Sequence, residues 1–157
     1  MKKNLKKNIF CTILLVFLTA CATVKRQDCI ARNGSYFKYS NGIVKDTKTG
    51  LEWIVGPDRD TTWDEAKPWV ESLYVDGGGW RMPTRKELRS LYQKGVGMRN
   101  MTPLLMTSGW WVWSGETKGS SSAWIFAFYF GGAHWSPHPD STSGRGFAVR
   151  WPRVGNY

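Results

Sequence analysis

The chain has 157 residues, 41% hydrophobic and 22% charged, with a formal charge of +10. It is long enough for one domain with its own core, and the lack of an internal repeat or long low-complexity tract excludes a repeat architecture. Ten Trp, seven Phe and six Tyr make core and surface unusually rich in rings. At the N-terminus, Lys2, Lys3, Lys6 and Lys7 form a basic segment and Ile9 to Leu18 an apolar one. The apolar stretch is shorter than the about 20 residues of a spanning helix, so the pair reads as a targeting segment.

Leu18-Thr19-Ala20-Cys21 follows. It resembles the lipobox of bacterial lipoproteins, which implies cleavage before Cys21 and acylation of its thiol. Each buried acyl methylene contributes about 0.8 kcal/mol, so several chains anchor stably. Ala22 after the cysteine points to the outer membrane. The expected organisation is a signal peptide over 1–20, a lipidated tether over 21–35 and one domain over 36–157. Losing residues 1–20 leaves eighteen cations against twelve acids, a charge of +6. Six cations fall together at Arg81, Arg85, Lys86, Arg89, Lys94 and Arg99, opposed there only by Glu87. They read either as a solvated helix face or as a patch for anionic glycans or lipid head groups. Export argues against nucleic acid. Cys29 is then the only free thiol, and no disulfide can form within the domain.

Ile43-Val44 and Leu51 to Val55 flank the turn formers Asp46 to Gly50, which predicts a hairpin. Thr62 with Glu65, and Thr84 with Glu87, have capping-box spacing and predict two helix starts. Trp63, Ala66, Trp69, Val70 and Leu73 share one face of the first helix. Pro68 within it predicts a bent or irregular helix. Leu88, Leu91 and Tyr92 supply the buried face of the second. Gly77, Gly78 and Gly79 predict a tight turn that lets Trp80 pack, and 94–109 reads as loop. Three strands follow: Trp110 to Ser114, Ala123 to Phe130 and Gly146 to Trp151. In the middle strand Trp124, Phe126, Phe128 and Phe130 share one face, and Ile125, Ala127 and Tyr129 the other.

Five motifs occur in order: Asp46-x-x-Thr49-Gly50-Leu51-x-Trp53, Thr62-Trp63-x-Glu65-Ala66, Gly79-Trp80-Arg81-Met82-Pro83-Thr84-x-x-Glu87-Leu88, Val112-Trp113-Ser114 and Val149-Arg150. Together they resemble the Lcl C-terminal-like domain family over roughly residues 43–153. The resemblance implies an α+β domain of C-type-lectin-like fold, two helices packed on twisted antiparallel sheets with a loop-rich face. Many members have cysteines at the positions of Val70 and Trp151. The apolar pair here implies that packing of Val70 near Trp151 replaces a disulfide.

Residues 122–151 also resemble the variable segments of retroelement-diversified C-type-lectin-like proteins. Trp124, Phe126, Phe128, Gly131, Gly132 and Gly146 to Arg150 would form the frame. Ile125, Ala127, Tyr129, Ala133, Trp135, Ser136, His138, Asp140 and Ser143 would form a ligand-binding face. Among the rings, Trp110, Trp111, Trp113 and Trp135 are candidates for stacking on sugars, with Trp135 the most exposed.

Catalytic chemistry finds little footing. His134, His138 and Asp140 could be proposed as metal ligands, but Pro137 and Pro139 exclude the helix that the histidine spacing suits. Ser136, His138 and Asp140 lie too close in sequence for a triad. The formylglycine-generating enzymes, which share the implied fold, need active-site cysteines, and none follows Cys29. The lectin calcium motifs are missing as well. The expected protein is a non-enzymatic lipoprotein without metal or cofactor. Its partners would be the bilayer, through Cys21, and a glycan or protein ligand. A structural envelope-assembly or secretion-associated subunit is the alternative, and an enzyme related to the formylglycine-generating group a remote one.

Overall fold

The computed structural model describes residues 28–152. The expected signal segment, Cys21 and residues 22–27 of the expected tether lie outside the described residues. In chain order the elements are β1 (Cys29–Asn33), β2 (Tyr36–Tyr39), β3 (Val44–Asp46), β4 (Glu52–Val55), α1 (Trp63–Ser72), α2 (Arg85–Leu91), β5 (Trp111–Lys118), β6 (Ser122–Ala127), β7 (Gly132–Pro137), β8 (Gly144–Arg145) and β9 (Phe147–Arg150). One sheet has the order β1-β2-β3-β4-β9 and the other β7-β6-β5-β8. All pairs are antiparallel except β5 with β8.

The predicted hairpin is β3–β4, and its turn is built by Asp46. That side chain is 2% exposed. It accepts hydrogen bonds from Ser35 Oγ (2.8 Å), the Lys48 amide (3.0 Å) and Thr49 Oγ1 (2.8 Å). A carboxylate held by its own turn satisfies the backbone that would otherwise be orphaned. β1 lies inside the stretch expected to be tether. It is a largely exposed edge strand, paired on one side to β2.

Both capping boxes form: Thr62 and Glu65 satisfy each other's amides, as do Thr84 and Glu87. α1 runs as one α-helix through Pro68, not as the irregular helix expected. Pro68 lies mid-helix but on the exposed side, so it removes the bond to the Asp64 carbonyl while the apolar face stays packed.

Three clusters of buried side chains show how the layers meet. The largest unites Tyr36, Val44, Leu51 and Trp53 of the first sheet region, Leu88 and Leu91 of α2, and Val112, Phe126 and Phe128 from the second sheet and its turn. α1 packs against the other faces. Val70 meets Ile43, Trp80 and Ala148, and Ala66 meets Trp113, Ala123 and Ile125. The second sheet is therefore covered on both faces, by α2 with the main core on one side and by α1 on the other. This α+β arrangement of two helices and two mostly antiparallel sheets is consistent with a C-type-lectin-like fold. The two positions expected to compensate for a disulfide differ in burial. Val70 is fully buried among Ile43, Trp80 and Ala148, whereas Trp151 is 62% exposed with its ring beside Gly50.

Two buried arginines close the first sheet and the loops. Arg150, 3% exposed, donates to Glu52 (2.8 Å), Asp76 (2.6 Å) and the Gly78 carbonyl (2.8 Å), and lies 4.3 Å from the Trp80 ring centroid. Gly77, Gly78 and Gly79 have φ of 81°, 79° and 78°, the left-handed region that glycine enters without strain. The turn they make delivers three carbonyls, those of Val75, Asp76 and Gly78, to Arg150. Arg145, 5% exposed, ties β8 to Asp58 (2.8 Å) and Asp60 (2.9 Å).

Candidate functional site

The nine residues expected to form one ligand face go to four different places. β6 carries core residues on both faces, Phe126 in the main cluster and Ile125 in the cluster with Ala66 of α1. Ile125 and Ala127 are 7% and 1% exposed and cannot meet a ligand. The expectation assumed one free face, and α1 removes it.

Ser136, His138, Asp140 and Ser143 hold the 136–144 segment in place. Ser136 Oγ donates to Asp140 Oδ2 at 2.8 Å. His138 stacks on Trp63 with ring centroids 4.3 Å apart, and its carbonyl accepts from the Trp63 amide. The Ser143 amide donates to Asp60 at 3.1 Å, and its carbonyl accepts from Trp110. His134 lies beside Phe130 instead, 4.7 Å between ring centroids. Among the described residues no group of three His, Cys, Asp or Glu is placed to share a metal ion.

Tyr129 stands exposed beside Trp110, and Ala133 and Trp135 join a site with residues from α2. β7 falls within the expected loop face, yet it pairs with β6 in register, Ala133 opposite Phe126 and Trp135 opposite Trp124. Directly opposed residues share a face. Ala133 and Trp135 therefore stand on the α2 side, while Ser136 and His134 stand on the other. α2 is aimed across this face by its cap. The Glu87 carboxylate takes the Thr84 amide and also both Arg81 nitrogens. Burial pushes Glu87 upward, but the Arg81 and Thr84 hydrogen bonds outweigh it and hold the carboxyl below its ordinary range.

The result is an open groove of about 340 Å³ lined by Arg85, Lys86, Arg89, Glu116 and Ala133. Arg85 forms one wall. Its Nε and Nη2 donate to Glu116 at 3.0 and 3.1 Å, and its guanidinium lies 4.0 Å from the Trp124 ring centroid. Those bonds hold Glu116 below its ordinary range. Arg89 lies 5.8 Å from the Phe126 ring centroid. At the outer end Lys118 Nζ sits 4.3 Å from the Trp135 ring centroid, and Trp135 is 51% exposed. Glu116 is matched by Arg85. Lys86, Arg89 and Lys118 form no ion pair among the described residues. The face thus offers three unmatched cations along a line of aromatic rings, a surface suited to an anion with an apolar or ring-shaped face.

Of the other ring candidates, Trp113 is fully buried with Nε1 donating to the Thr61 carbonyl at 2.8 Å. Trp111 is half-buried and packs edge-on against it. Trp110 is 45% exposed and Tyr129 54% exposed, and the two are in contact away from the groove. The cation run at 85–89 was legible in the sequence. Lys118, Glu116 and Trp124 as groove residues were not, because only strand register brings them together.

These features define an α+β domain of C-type-lectin-like arrangement with a cation-and-ring groove on one sheet face. The chain belongs to the Lcl C-terminal domain family, whose family model matches residues 42–150. A comparison with curated proteins finds no match. The motif residues that carry the family pattern serve the fold: Asp46 closes a turn, Thr62 and Thr84 cap helices, and Arg81 and Arg150 bridge segments. The groove is built mainly from residues between those motifs.

Proposed function

We propose that this protein is an exported lipoprotein, anchored through Cys21, whose domain is a non-catalytic binding module for acidic glycans. The single observation that supports this reading is the groove between α2 and β7. Cations without acidic partners stand there beside the exposed Trp135 ring, so one surface can neutralise a carboxylate or sulfate and stack on a sugar face. The position of the site differs from the diversified loop face expected from sequence. Only Ala133 and Trp135 are common to both. Binding is expected to weaken with salt, because the cations are solvent-exposed and screened.

A panel of sulfated, carboxylated and neutral glycans, titrated against the purified protein at two salt concentrations, tests the reading. Selective binding of acidic glycans that weakens in Lys86→Ala, Arg89→Ala and Trp135→Ala supports it. Equal binding of neutral and acidic glycans, or wild-type affinity in all three variants, overturns it. Anchoring is tested separately by the mass of the N-terminal peptide, which carries acyl chains on Cys21 if the lipobox reading holds.

A further inference from the structure

A second exposed surface is apolar rather than basic. Met98 is 75% exposed, Met106 65%, Trp110 45%, Tyr129 54% and Phe130 42%. They are continuous. Met98 and Met106 line one shallow cavity of about 120 Å³. Arg99, between them in the strip, lies 4.2 Å from the Trp110 ring centroid. Trp110 meets Tyr129 at 5.7 Å, and Tyr129 meets Phe130 at 4.3 Å, between ring centroids.

The strip is fixed in shape before any partner arrives. The Asn100 side chain donates to the Phe128 carbonyl at 2.8 Å, and the Phe128 amide donates to the Trp110 carbonyl at 3.1 Å. Arg99 is held by the Gly109 carbonyl at 2.8 Å and the Ser108 carbonyl at 2.6 Å. Five large apolar side chains displayed together on a rigid support mark an interaction surface.

We infer that the Met98, Met106, Trp110, Tyr129 and Phe130 strip rests on the lipid bilayer, with the remaining N–H groups of the fixed Arg99 guanidinium facing the phosphate layer. The inference depends on the lipoprotein reading of Cys21 and goes beyond it. Two observations select lipid as the occupant. First, the composition fits an interface: Trp and Tyr settle at the head-group level, and Arg keeps its stem in apolar surroundings while its charge meets phosphate. No carboxylate belongs to the strip. Second, the attachment point is close. Cys21 precedes Asp28 by seven residues. An extended chain of that length spans at most about 25 Å. β1 begins one residue later, at Cys29, and Thr102 Oγ1 bonds Asn33 at the far end of that strand at 3.1 Å. That contact joins the segment carrying Met98, Met106 and Trp110 to the strand nearest the anchor. The strip is thereby held within reach of the surface that would cover it.

The test uses the acylated full chain in vesicles of phosphatidylethanolamine and phosphatidylglycerol, with hydroxyl-radical footprinting read residue by residue. The molecule carries its own references. Trp151 and Tyr74 are 62% and 80% exposed and lie outside the strip. Expected is roughly tenfold less oxidation at Trp110 than at Trp151, and at Tyr129 than at Tyr74, a factor equivalent to 1.4 kcal/mol. The double variant Trp110→Ser, Tyr129→Ser should also restore oxidation at Met98 and Met106. Equal oxidation of strip and reference residues on an acylated chain overturns the inference and leaves the anchor intact. An N-terminal peptide without lipid overturns both readings. Protection that grows with protein concentration, or that occurs in cells but not in these vesicles, identifies a second copy or another protein as the occupant and also overturns it.

Discussion

The Arg85 guanidinium lies 4.0 Å from the Trp124 ring centroid while its Nε and Nη2 grip Glu116 at 3.0 and 3.1 Å. One side chain from α2 is thereby fixed to a ring on β6 and a carboxylate on β5. Arg85 is a wall of the groove rather than a free cation. Lysine keeps the charge but loses the planar fork and the stacking. With Arg85 39% and Glu116 36% exposed, solvent screening keeps the ion-pair contribution small. Arg85→Lys is expected to lower stability by about 1 kcal/mol in urea titrations, most of it from lost stacking and geometry. Lys86→Ala, one residue on, should change it by less than about 0.5 kcal/mol.

The binding face separates charge from ring. Removing Arg89 or Lys86 should weaken an acidic glycan about five- to tenfold at low salt, with less effect as salt rises. Trp135→Ala should weaken it by a similar factor at both salt concentrations, since stacking is not screened. Calorimetric titration at two ionic strengths distinguishes these responses.

Arg150 is the most committed charge in the fold. It is 3% exposed and shared by Glu52, Asp76 and three carbonyls. Arg150→Ala leaves the buried acceptors unpaired, and the expected loss is about 3–5 kcal/mol. Urea denaturation followed by Trp fluorescence measures it. A loss below about 1 kcal/mol would show that this network is not what holds the glycine turn to β9.

Two fully buried tryptophans should respond differently to the same substitution. Trp113 Nε1 donates to the Thr61 carbonyl at 2.8 Å, whereas Trp53 Nε1 has no partner among the described residues. Both Trp→Phe changes shrink the ring. Only Trp113→Phe also strips a buried carbonyl of its donor, while Trp53→Phe removes an unpaired one. Trp113→Phe should therefore cost about 1–3 kcal/mol more than Trp53→Phe. Equal losses would contradict the assignment.

Acid should destabilise the domain through a small set of carboxylates. Glu87 and Glu116 are held below their ordinary value of 4.5. Asp58 is also held below its ordinary range: burial pushes it upward, but Arg145, Thr107 and Ser108 hydrogen bonds prevail. A folded-state value below the unfolded one gives stability that is present above the unfolded value and lost as pH falls through the folded one. Stability should be flat from about pH 5 to about pH 9 and decline below that range. Glu116→Gln should make that decline shallower. A wild-type slope in the variant would remove Glu116 from the set.

Much of the fold was legible because it rests on short-range chemistry. Thr62 with Glu65 and Thr84 with Glu87 close their hydrogen bonds within one helical turn, so spacing alone announces both helices. Asp46 to Gly50 likewise carries its own turn. Local spacing and side-chain type thus decided the hairpin, both helix starts, the α+β class and the family pattern. Burial was another matter. Alternation marked Ile125 and Ala127 as a free face, but whether a strand face is free depends on what packs above it. Ala66 of α1, some sixty residues away, covers Ile125. The groove was equally hidden. Arg85, Glu116, Trp124 and Trp135 come from α2, β5, β6 and β7, and only sheet register and the aim of α2 set them side by side. The sequence by itself determined the β3–β4 hairpin, the start of both helices and the family pattern. The tertiary structure decided which faces remain for a ligand, because exposure is a property of layers and not of strands.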